Sequence, residues 1–205
     1  MRNSSKFLVF FLLTLFVAAC DKDPEPDPNN GEDPPPVTVT KYTVGSYYDV
    51  NGIKGVVYEI TSDDSLHGKI ISLDEAFLAW CTTDSLIATG ALDVGDGEVN
   101  MTTVKNLGTM SDFPAFEWCQ AKNSNGVTGW YLPAVNEVYD FVILVRDPLN
   151  ETLAKNQGTP LQNNAYWSST EFSSAGMAMI ADARSTANNN AGKKTQHYVR
   201  AVRKF

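Results

Sequence analysis

With 205 residues and a formal net charge of −8, the chain is long enough for one well-buried domain beyond a leader and linker, and too short for two ordinary domains. Its acidic balance, with no basic stripe, excludes nucleic acid as the main partner. Two histidines at no metal-ligand spacing, and neither a Gly-x-Ser-x-Gly elbow nor a phosphate-cradling loop, leave little for catalysis; no cofactor, metal or enzymatic activity is expected.

Residues 1–19 read as a signal peptide. Arg2 and Lys6 give it a positive start, and Phe7 to Ala19 is apolar apart from Thr14, too short a run to span a bilayer comfortably. Val-Ala-Ala-Cys at 17–20 is the pattern a lipoprotein signal peptidase cuts, so Cys20 is the expected lipidation site and membrane attachment through a lipid anchor follows. An ordinary secretory signal is the alternative. Residues 21–36, DKDPEPDPNNGEDPPP, hold six prolines and six acids and no large apolar side chain. Such a stretch cannot bury enough surface to offset its ordering entropy, and residues 20–41 are expected to be a disordered, extended tether. Acids directly after the cysteine resemble the signal with which certain Gram-negative bacteria export lipoproteins to the cell exterior. The expected location is therefore the outer membrane, facing outward.

The domain reads as residues 42–205. Asn51-Gly52 between YYDV and IKGVVYEI is a hairpin signal, and HGKIISL at 67–73 reads as a strand. Ser72 followed by Glu75 fits a capping box, which predicts a short helix through Ala76, Phe77 and Trp80. Asp93 to Glu98 reads as an acidic turn, since it lacks the ligand spacing of a calcium loop. A second helix is predicted over 113–122 with Pro114 in its first turn. The third starts at Pro133 and carries Val138, Phe141, Val142 and Val145 at helical spacing. Strands are expected near 165–170, 176–182 and 196–203. Helices amid antiparallel strands make the fold class α+β. Cys81 and Cys119 either close a disulfide or remain buried free thiols beside Trp80 and Trp118.

Three segments occur in an order typical of one domain family: GWYLPAVNEVYDF at 129–141, YWSSTE at 166–171 and YVRAVRKF at 198–205. They resemble the family typified by the C-terminal domain of a bacterial collagen-like adhesin, a domain of unknown function. VGSYYDVNGIKGVVYEI and HGKIISLDEA resemble the N-terminal part of its lipoprotein versions, so the likeness covers about residues 44–205. The resemblance implies a C-type-lectin-like fold with long loops on one side. It also implies that Trp130, Pro133, Glu137, Trp167, Ser168, Ser169, Thr170 and Arg200 belong to family motifs.

Those motif residues read as structural. Relatives commonly carry Ser or Thr after the proline; Ala134 here cannot accept a capping bond, so only Glu137 can serve that helix end. Ser168, Ser169 and Thr170 suit backbone hydrogen bonding in a loop better than nucleophilic attack. Arg200 is expected to pair with an inward acid, Glu137 or Glu171. Lys193, Lys194, Arg200, Arg203 and Lys204 together read as the solvated face of a terminal strand. The calcium and sugar motifs of true C-type lectins are missing, and nothing resembles the active-site cysteine region of the formylglycine-generating enzymes that share that fold.

A non-catalytic recognition domain for a glycan or protein is the leading expectation. Its contacts would lie in loops 150–165 and 183–195, with Asn188, Asn189, Asn190 and Lys193 as the named candidates. A structural or accessory subunit of a surface or fimbrial assembly is the first alternative, and would need a pairing strand or an apolar patch. An enzyme built on a thiol or a carboxylate pair is the second.

Overall fold

A computed structural model describes residues 40–83 and 87–205. The leader, Cys20 and nearly all of the tether lie outside the described residues.

The polypeptide enters through the hairpin of β1 (Tyr47–Val50) and β2 (Ile53–Ile60). Asn51 and Gly52 sit at φ +53° and +79°, the positive values that a two-residue turn of this hand requires. β3 (Gly68–Ile71) continues the meander, and Gly68 is tied to Phe205 by bonds in both directions between their peptide groups. Next comes β4 (Ala76–Ala79), a strand where the capping box predicted a helix. The local signal loses because both of its side chains are used elsewhere. Ser72 Oγ donates to Asp74 O at 2.8 Å, Glu75 takes a buried arginine, and Ala76 to Ala79 pair with a late strand.

Two helices follow, α1 (Gly97–Lys105) and α2 (Pro114–Ala121). The first was not foreseen. Asp93 Oδ1 accepts from the Gly95 and Asp96 amides to form the acidic turn, and Asp96 then caps α1 by accepting from Glu98 N at 2.9 Å. α2 buries Ala115, Phe116 and Cys119. β5 (Trp130–Tyr131) leads into α3 (Val135–Tyr139), which begins two residues after Pro133. A π-helical turn over Asp140–Leu144 ends the regular spacing, so Phe141 and Val142 are buried while Val145 is only partly so. α4 (Arg146–Lys155) then occupies the first third of what the sequence offered as a loop, held by Leu149 and Leu153 at i, i+4 spacing.

The last fifth is mostly strand: β6 (Ala165–Glu171), β7 (Met177–Asp182), β8 (Ala187–Gly192), β9 (Gln196–Val199) and β10 (Val202–Lys204). One sheet runs β1-β2-β3-β10-β5 and the other β4-β9-β6-β7-β8. All pairings are antiparallel except the single parallel contact of Tyr166 with Tyr198. The class is α+β. Trp80, Trp167, Tyr131, Tyr166, Phe113 and Phe141 are fully buried in one continuous core. Trp80 stands edge-on to both Phe113 and Phe116, the geometry that aromatic quadrupoles favour. Among the described residues, no helix is long and apolar enough to cross a membrane.

Candidate functional site

Three buried carboxylates organise the frame, each facing a different cation, of which Lys69 is shared with Glu59 at 2.8 Å. Glu137 is 2 % exposed and accepts from Gly97 N at 3.0 Å, Ala134 N at 2.9 Å and Tyr131 Oη at 2.8 Å, with Lys69 Nζ at 3.1 Å. It thus caps α3 and clamps the start of α1 onto the same point. Burial, reinforced by the Glu137 charge, pushes the Tyr131 hydroxyl far above its ordinary pKa, so it acts there as a fixed donor. Glu171 accepts from the Thr89 and Gly90 amides at 2.9 Å and pairs with Lys193. Glu75 pairs with Arg200, which also donates to Ser72 O and Thr159 O at 2.9 and 2.7 Å.

Two sequence expectations are corrected here. Arg200 pairs with neither Glu137 nor Glu171, because Lys69 and Lys193 hold those acids. Lys193 is not an exposed ligand contact: it is 6 % exposed, donates to Ile87 O at 2.8 Å, and lies 4.6 Å from the centre of the Trp80 ring. An ammonium taken out of water requires this company. Consequently Lys193 and Arg200 are no part of a solvated basic face.

The remaining motif residues brace loops. Trp167 Nε1 donates to Leu78 O at 3.0 Å and Ser168 Oγ to Met179 O at 2.8 Å. Ser169 Oγ accepts from Asn100 Nδ2 at 3.0 Å, while Thr170 Oγ1 donates to Asp93 O at 2.7 Å. Pro133 O accepts from Ser169 N at 2.7 Å. The bonds to Asn100 and Asp93 tie β6 to the segment around α1, and the others tie it to β4, β7 and Pro133 ahead of α3.

Cys81 and Cys119 are both free and buried, so the disulfide is absent. Burial raises the Cys119 thiol well above the usual range, which makes it a poor nucleophile. Cys81 contacts Thr83 Oγ1 at 3.0 Å at the edge of a cavity of about 250 Å³. His197 packs edge-on against Trp167, with ring centres 4.7 Å apart. Among the described residues, no three His, Cys, Asp or Glu side chains are grouped so as to hold a metal ion.

A larger concavity lies elsewhere. A groove of about 1090 Å³ runs between α1, α2 and the segment leading into β5. Asp96 and Glu98 stand on one wall, Glu117 and Gln120 on the other, and Met101 and Trp130 contribute apolar surface. Lys204 bridges Asp96 and Glu98 at 3.0 and 2.7 Å; partial burial works against its charge, but these bonds outweigh it and hold the lysine above its ordinary pKa. Asn123 fixes the β5 edge by accepting from Trp130 N and donating to Trp130 O, both at 2.8 Å. The arrangement offers carboxylates, amides and hydroxyls around a small apolar floor, which suits recognition of hydroxyl- or amine-bearing ligands.

Asn188, Asn189 and Asn190 are exposed, but they sit on β8 and do not line this groove. Of the groove's residues, Trp130 belongs to a family-like motif and Glu117 and Gln120 to a predicted helix, but no sequence signal marks them as one site, since three separate elements meet to form it. No protein-family model matches the chain, and no curated protein matches it.

Proposed function

We propose that this chain is a lipid-anchored cell-surface protein whose domain recognises a glycan or protein ligand in the groove between α1, α2 and β5, without catalysis. The single observation behind this reading is the groove itself: about 1090 Å³ of open, mixed-polarity concavity in a frame whose buried charges are all committed to structural pairs. That volume lies just above the usual range of ligand clefts, roughly 300–1,000 Å³. The C-type-lectin-like assignment belongs to the same proposal. It is supported by the family-like motifs and by β10, the last strand, lying inside the first sheet between β3 and β5. Fold-level likeness does not carry function, and the groove bears the weight.

Attachment through acylated Cys20 and outward exposure from the outer membrane complete the proposal. Mass spectrometry of the chain purified from its native membrane tests the anchor; an unmodified Cys20 rejects it. For recognition, the chain is presented to an array of neutral, amino-bearing and sulfated glycans. Binding that Glu117→Lys and Gln120→Ala abolish supports the groove, and a uniformly blank array counts against the glycan form. The alternative of a structural subunit in a surface assembly is favoured by one observation, the open edge of β8.

A further inference from the structure

β8 closes one side of the second sheet, and no described strand pairs with its outer edge. Exposed edges of this kind are normally guarded by charge, proline or a bulge, because unpaired peptide groups invite another strand. β8 has none of these devices. Its sequence, Ala187-Asn188-Asn189-Asn190-Ala191-Gly192, is uncharged, and its pairing with β7 runs without a register shift over its whole length.

The hydrogen-bond phase of this edge follows from one bond. Lys193 N donates to Gly176 O at 3.0 Å, and the register continues through Ala178↔Ala191 and Ile180↔Asn189 to Asp182↔Ala187. Bonded and non-bonded pairs alternate along an antiparallel ladder. The odd-numbered residues of β8 therefore bond to β7, while the peptide groups of Asn188, Asn190 and Gly192 face outward.

Residues 187–191 read the same in both directions. From this coincidence of palindrome and phase, we infer that β8 joins two copies of this chain edge to edge, antiparallel, about a twofold axis at Asn189. In that register Asn188 meets the partner's Asn190, both with outward-facing peptide groups, so each such pair exchanges two backbone bonds. Alanine falls opposite alanine and asparagine opposite asparagine, with side-chain amides able to pair across the seam. Alignment between two residues would oppose outward groups with inward ones and is excluded. Centring on Asn188 or Asn190 keeps the phase but sets Asn189 against an alanine. The contact is isologous, so it closes at two copies and leaves no further β8 edge open.

The test adds one cysteine at a time to the full chain carrying Cys20→Ser, so that no thiol outside the domain can crosslink. At the twofold axis the two copies of residue 189 form a non-bonded pair about 4.5 Å apart between Cα atoms, inside the disulfide range of roughly 4.4–6.8 Å. Mild oxidation of Asn189→Cys should yield a covalent dimer about tenfold more efficiently than Asn188→Cys or Asn190→Cys, while the Cys20→Ser chain with no added cysteine, its Cys81 and Cys119 buried, stays uncrosslinked. Absence of the dimer, or equal crosslinking at 188 or 190, overturns the proposal. Sedimentation supplies an independent check. Asn188→Asp combined with Asn190→Asp leaves an exposed strand intact but sets like charges opposite each other, and should turn a concentration-dependent dimer into a monomer. A native chain that sediments as a monomer at all concentrations overturns the proposal as well.

Discussion

Arg200 Nη2 and Glu75 Oε2 meet at 2.6 Å across 125 residues of sequence, with the arginine 0 % and the glutamate 6 % exposed. Breaking one side of such a pair strands a charge in the core, whereas replacing both sides with apolar groups of similar size need not. Glu75→Gln should therefore lower stability by about 3–5 kcal/mol, read as a shift of the urea midpoint. The double variant Glu75→Leu, Arg200→Met should lose much less than the sum of the two single changes, since the partners are directly coupled. Additive losses would show that the pair is not the unit described.

Gly97 opens α1 against the backbone that precedes α3. A Cβ at this position would press on Leu132 O and lie 2.8 Å from both Ala134 N and Pro133 Cα, none of which is a flexible side-chain tip. Gly97→Ala should therefore destabilise the domain by roughly 1–3 kcal/mol, as overpacking does elsewhere. Because Gly97 N also donates to Glu137, amide exchange should quicken at the starts of both α1 and α3. A neutral substitution would contradict this close approach.

His197 carries a pH dependence. Burial, aided by the nearby Arg184 charge, holds its imidazole below the ordinary value of 6.5. The unfolded chain then binds the proton more readily, so this contribution is complete above about pH 6.5 and is lost as pH falls toward the folded value. The urea midpoint should drop between about pH 7.5 and pH 5.5, and His197→Phe should flatten that slope. An unchanged slope in the variant would remove His197 as its source.

Cys119 is 0 % and Cys81 3 % exposed, and neither is bonded to the other. Maleimide should leave Cys119 unlabelled in the native domain and modify both thiols once the chain is unfolded in non-reducing denaturant. Denatured protein that still resists labelling at both positions would reveal the disulfide that the sequence left open.

At the groove, Asn123→Ala removes both 2.8 Å bonds to Trp130 and leaves the β5 edge unsupported. The expected loss is about 1–3 kcal/mol of stability, with a weaker complex for any ligand the groove holds. Calorimetry on the folded variant separates the two effects; unchanged affinity would move the ligand elsewhere.

Elements governed by neighbours in the chain were legible beforehand. Asn51-Gly52 specifies its hairpin because few residues tolerate two successive positive φ values, and Pro114 suits a first helical turn because its missing amide is not needed there. Ser72 and Glu75 show where that reasoning stops. The same spacing that spells a capping box belongs to a strand once Arg200 claims the carboxylate. α1 escaped notice because a turn and an N-cap share the acids of 93–98, and α4 because only Leu149 and Leu153 mark an otherwise polar helix.

By itself the sequence determined a mixed α+β domain, the main strand and helix positions set by local turn chemistry, and a palindromic uncharged run at 187–191. Only the tertiary structure decided which cation each buried glutamate keeps, that Lys193 lies inside, that both thiols stay free, and that α1, α2 and β5 part to leave a groove. Turns and caps act over a few residues along the chain. Partners for buried charge are instead selected among chemically equivalent lysines and arginines, and only the folded path brings one of them within bonding distance.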